Sequence, residues 1–115
     1  MKSTKLVLIL CALLLISTQV FAHPPSAIKI QFDAKTNTVT AIITHRVSNP
    51  ATHYIDKVDL GLNGKEVKSL SFKKQDNNRT LTVTAVVPEA KAGDSLSVEA
   101  YCNLSGKLEK DIKVK

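Results

Sequence analysis

The chemistry-bearing side chains of this chain are few: His23, His45, His53 and Cys102, with Cys11 set apart inside an apolar N-terminal run. Imidazole nitrogens and a thiolate are borderline-to-soft donors, so four of them at one place would suit iron, copper or zinc, and the residue types alone do not choose among these. Each also has a duller reading. A single histidine at a strand end is more often a hydrogen-bonding surface group than a ligand, and a lone cysteine is often a small buried hydrophobe. Convergence is what would separate ligands from bystanders, so the elements that carry the four residues decide the matter.

The first 22 residues read as a secretory signal peptide. Lys2 and Lys5 precede the apolar run Leu6 to Ile16, and Val20-Phe21-Ala22 has the small-x-small form of a cleavage site. The run is short for a membrane span. Cys11 follows Leu10, where lipoprotein processing requires a small residue, so lipidation is not expected. Cleavage after Ala22 releases an exported protein, periplasmic or secreted, of residues 23–115 with no membrane attachment, and Cys11 is lost with the leader. Those 93 residues suffice for one small domain with a single core. Cys102 then has no partner for a disulfide within the chain, although exported domains of this size often carry one.

Without Lys2 and Lys5, 14 basic side chains face 10 acidic ones. The lysines are scattered, tryptophan is absent and few aromatics could stack on bases, which argues against nucleic acid as a partner. A modest positive field would still attract small anions. A homo-oligomer is compatible with this composition, and nothing in it requires one.

Alternation with a period of two runs through the mature segment. Ile28, Ile30 and Phe32 alternate with polar residues, Asp33 to Thr38 supplies a turn, and Val39, Ala41 and Ile43 resume the pattern. Val58, Leu60 and Leu62 lead into Asn63-Gly64, a strong tight-turn signal, followed by a return strand from Lys65 through Leu70 and Phe72. Further strands are expected around Leu81 to Ala85, Leu96 to Ala100 and Leu108 to Val114. About seven strands without a convincing amphipathic helix predict an all-β chain, an antiparallel β-sandwich of immunoglobulin-like type. His45 shares the parity of Val39, Ala41 and Ile43, and Cys102 that of Leu96, Val98 and Ala100, so both are expected to point inward at strand ends. His53 is expected to begin the next strand across one loop, and His23 precedes the first strand. Asn78-Arg-Thr80 and Asn103-Leu-Ser105 also match the short glycosylation pattern.

The stretch His45 to Leu60, with His53-Tyr-Ile55, and the later Glu99-Ala-Tyr-Cys-Asn-Leu-Ser-Gly106 resemble the iron domain of desulfoferrodoxin and the superoxide reductases. The resemblance covers most of the mature chain and spans three separated segments. It implies an immunoglobulin-like sandwich holding mononuclear non-haem iron, with His23, His45 and His53 as equatorial ligands and Cys102 as the axial thiolate. It also implies reduction of superoxide to hydrogen peroxide with electrons from an external donor. The chain departs from the family at Ser105, which stands where the family places a further histidine, and it has no lysine just ahead of the first histidine. Arg46 and Lys107 flank matched positions and could supply positive charge. Cleavage after Ala22 would make His23 the N-terminal residue, whose free α-amine could stand in for the imidazole missing at Ser105. Two other readings use the same residues: an exported copper electron-transfer site built on two histidines and Cys102, and a metal-free binding module.

Overall fold

The computed structural model describes residues 23–115; the expected signal segment lies outside the described residues. The described chain is all β. Strands β1 (Ala27–Asp33), β2 (Thr38–Thr44), β3 (Ile55–Leu62), β4 (Lys65–Ser71), β5 (Thr80–Val86), β6 (Ser95–Cys102) and β7 (Lys107–Lys113) follow one another without an intervening helix. A three-stranded sheet in the order β1-β2-β5 faces a four-stranded sheet in the order β4-β3-β6-β7, and all pairings are antiparallel. The expected seven-stranded sandwich is the observed architecture.

Alternation explains the layers. Val39, Ala41 and Ile43 of β2 are essentially inaccessible, while Thr38, Thr40, Ile42 and Thr44 between them are partly exposed. Val58, Leu60, Leu96, Val98 and Ala100 cover the facing sheet in the same way. Each such valine, leucine or isoleucine side chain contributes about 1.5–3 kcal/mol when fully buried. The core needs no aromatic centre; Phe32 and Phe72 pack against it from the side.

Asn63 and Gly64 both take positive φ, 52° and 84°, and join Leu62 to Lys65 as a two-residue hairpin loop, as the Asn-Gly dipeptide predicts. Two irregularities interrupt β3. Against β4 the register shifts between Leu60 and Gly61, where a side chain on Gly61 would come within 2.5 Å of Ser97 Oγ. Against β6 it shifts between Ile55 and Lys57, with Asp56 as the extra residue. This second bulge lets Ile55 and Val58 both face the core although three positions apart, and it sets Ile55 opposite Cys102. Sequence alternation places the strand start at His53; the structure starts it at Ile55 and leaves His53 on the rim.

Candidate metal centre

One end of the sandwich collects the N-terminal approach to β1, the end of β2, the loop into β3, the end of β6 and the turn into β7. His45 follows the last residue of β2, and its parity carries it inward to full burial. Cys102 ends β6 on the same side and is 8% exposed. His53 is half-buried and His23 exposed. The three imidazoles form a compact triangle with ring centroids 4.8–5.1 Å apart, and one nitrogen from each lies within 4.8 Å of the others. Cys102 meets this group through His53, whose Nε2 is 3.2 Å from the Cys102 sulfur.

His45 is oriented by Gln75, a buried residue between β4 and β5. The Ile55 N–H donates to Gln75 Oε1 at 3.1 Å, which fixes that end of the amide as the acceptor. Gln75 Nε2 correspondingly donates to the carbonyls of His45 and Asn77. His45 Nδ1, 2.6 Å from Oε1, must therefore carry a hydrogen. Nε2, the other ring nitrogen, lies on the side of His23. Gln75 thus does for His45 what a partner behind a metal-bound histidine commonly does, choosing the tautomer and holding the ring. Nothing in the local sequence around Gln75, between Lys74 and Asp76, marks it as buried.

Asn103, next to Cys102, is the other positioning residue. Its Oδ1 accepts from the Tyr54 N–H at 2.9 Å, its Nδ2 donates to the Thr52 carbonyl at 3.0 Å, and its own N–H donates to the Tyr54 carbonyl. These bonds bind the segment carrying His53 to the strand end carrying Cys102. On the far side of His53, Asn49 closes a turn by accepting from the Thr52 and His53 N–H groups at its carbonyl and from the Ala51 N–H at its side chain. The Asn103 side chain, singled out as a glycosylation pattern, is engaged with the main chain here.

His23 reaches the rim through Pro24 and Pro25, whose fixed φ stiffens the approach to β1. Its carbonyl oxygen lies 3.1 Å from His45 Nε2 and its Nδ1 3.1 Å from the Pro24 carbonyl. Pro24 packs on Gly106: a Cβ there would come within 2.9 Å of the Pro24 Cβ and 3.1 Å of its nitrogen, at a φ of +89° that already favours glycine. Ser105 is exposed in this turn.

The electrostatics keep the site ready for a cation. Burial, then the neighbouring His45 and His23, lower the pKa of His53 and favour its neutral, lone-pair-bearing form. Arg46 is exposed and lines a shallow open depression with His23, Val47, Ser48 and His53, so it is the positive charge at the mouth. Lys107 is engaged elsewhere, 3.4 Å from Glu99 and near the Tyr101 ring on the outer sheet face. There the phenol of Tyr101 donates to Glu99, which with burial pushes the Tyr101 pKa up to about 12.

The donor chemistry fits a transition metal. Bonds of roughly 2.1 Å to nitrogen and 2.3 Å to sulfur place right-angled N and S donors roughly 3.1 Å apart, close to the 3.2 Å between His53 and Cys102. His45 Nε2 lies 3.1 Å from the His23 carbonyl, which brings the main chain of residue 23 to the edge of the triangle. His23, His45, His53 and Cys102 are the residues that could hold it. A small closing movement of the exposed His23 ring would tighten the triangle.

No family model matches the chain, and no curated protein sequence matches it. Among solved structures, the fold is similar to that of the superoxide reductase (1Fe-SOR) from Giardia intestinalis. The two align with a TM-score of 0.59 at 19% identity, over 80% of this chain and 100% of that one. At that identity the likeness speaks for the fold: the sandwich is of the superoxide-reductase kind.

Proposed function

We propose that the chain is an exported mononuclear iron protein of the superoxide-reductase type, with His23, His45, His53 and Cys102 as iron ligands. The observation that carries this reading is the meeting of three imidazoles and a cysteine from four separate segments at one end of a sandwich whose fold matches such a reductase. Iron bound there would supply one-electron chemistry, and an external donor would restore its reduced state. Superoxide, one electron and two protons then give hydrogen peroxide.

The chain's own residues define the remaining work. Gln75 holds His45 with Nε2 aimed inward, and Asn103 keeps His53 against Cys102. The thiolate would favour release of the reduced product by its electron-rich character. Arg46 at the open mouth attracts the anionic substrate, in place of the lysine absent ahead of His23. Export, periplasmic or outside the cell, follows from the reading of residues 1–22 as a signal peptide. The testing experiment is anaerobic isolation of the processed protein, metal analysis, and addition of superoxide to the reduced form. One peroxide per iron, with appearance of the ferric spectrum, is expected. Iron-loaded protein that superoxide neither oxidises nor converts into peroxide would refute reductase activity. An intense cupric-thiolate band in copper-loaded protein with no iron uptake would favour the copper alternative instead.

A further inference from the structure

We propose that cleavage after Ala22 turns the α-amine of His23 into a further metal donor, so that His23 binds through its main chain as well as its imidazole and the site is completed only by processing. The inference deepens the iron reading above and rests on it. The His23 carbonyl approaches His45 Nε2 to 3.1 Å, and the His23 ring stands beside both other imidazoles. The main chain of residue 23, not only its ring, therefore stands at the edge of the triangle. Three imidazoles and one thiolate supply four donors, and iron accommodates more.

The position of that main chain is held from two sides. Pro24 lies on Gly106 with room for no more than a hydrogen, which ties it to the turn that leaves Cys102. Ser26 donates its N–H to the Thr44 carbonyl at 2.8 Å, one residue before His45. Between these contacts Pro24 and Pro25 leave the approach to β1 little freedom, so residue 23 is held at the rim beside the other two imidazoles. Within a longer chain this nitrogen is an amide, and its lone pair is delocalised into the peptide bond. As a free amine it becomes a donor, and together with Nδ1 of its own ring it would close a six-membered chelate. Closure requires the exposed His23 side chain to turn its Nδ1 away from the Pro24 carbonyl, from which it now lies 3.1 Å. A leader peptide would therefore keep the site short of one donor until export is complete.

The test compares the protein processed from the full chain in an exporting bacterial host with a form that retains Ala22 ahead of His23. Mass spectrometry establishes the first residue, and ferrous iron affinity is measured by competition with a chelator, alongside the thiolate-to-ferric absorption band. The processed form should begin at His23, and retaining Ala22 should weaken iron binding by about tenfold or more and shift the band. Ser105→His in the Ala22-retaining form, which adds an imidazole to the turn beside Pro24, should recover affinity. Equal affinity and an unchanged band in the two forms would overturn the amine's role while leaving the iron site standing, as would an exported protein that begins elsewhere. Failure of both forms to take up iron would overturn the proposal together with the reading beneath it.

Discussion

At the end of the sandwich away from the histidines, Asn37 Nδ2 lies 2.9–3.2 Å from the carbonyls of Val87, Pro88 and Ala90. Asn63 beside it accepts from the Ser95 N–H and donates to Asp94, whose other oxygen accepts from the Lys91 N–H. Donors meet acceptors throughout, and the loops are closed over the core. At the histidine end the polar atoms behind the rim are equally well matched, through Gln75 and Asn103, but the groups in front are of another kind. There His45 Nε2 lies against the His23 carbonyl and His53 Nε2 against the Cys102 sulfur, with the three imidazoles side by side. The contrast separates a cap that stabilises the fold from a rim whose borderline and soft donors suit a transition metal.

Substitutions at the two ends should accordingly fail in different ways. His45→Ala is the most severe: metal uptake measured by chelator competition should vanish, and the protein should also lose about 2–4 kcal/mol in denaturant unfolding from the cavity and the lost hydrogen bond to Gln75 Oε1. Asn37→Ala should cost about 2–3 kcal/mol, since it removes the shared donor and places alanine at a φ of 53°. Metal affinity should be unchanged in that variant, and a parallel loss of affinity would break the distinction between the ends. Gln75→Leu should lower metal affinity about 10–100-fold by freeing the His45 tautomer and ring; unaltered affinity would show that Gln75 serves folding alone.

The smallest effect concerns acid. Asn63, then the Lys91 N–H, hold the Asp94 carboxyl below its ordinary value of 3.8. A depressed carboxylate contributes stability that is present above its unfolded value and lost as pH falls through the folded one. Metal-free protein should therefore weaken below about pH 4, and Asp94→Asn should flatten that dependence in pH-resolved unfolding. A dependence unchanged in the variant would assign it to other carboxylates.

Much of this geometry was legible in residue order, and the reasons it stopped where it did are physical. Strict alternation marks a half-buried strand, so β2 and β6 were readable to their ends and the inward parity of His45 and Cys102 with them. The start of β3 was not, because the bulge at Asp56 breaks the period of two and puts Ile55 and Val58 on one face. Gln75 and Asn103 escaped for another reason. The hydrogen bonds that tie them to the site reach groups 20 to 51 residues away, which leaves no local pattern. Lys107 flanks the site in sequence, yet its charge is committed to Glu99 on the outer face, whereas Arg46 stays at the mouth.

An iron centre of this kind requires that the Cys102 sulfur and the imidazoles share one metal. The optical spectrum of the iron-loaded, oxidised protein tests this directly when compared with that of Cys102→Ser. A thiolate-to-ferric band present in the unaltered protein and absent from the variant is the predicted result. The same band and the same iron content in both would contradict it.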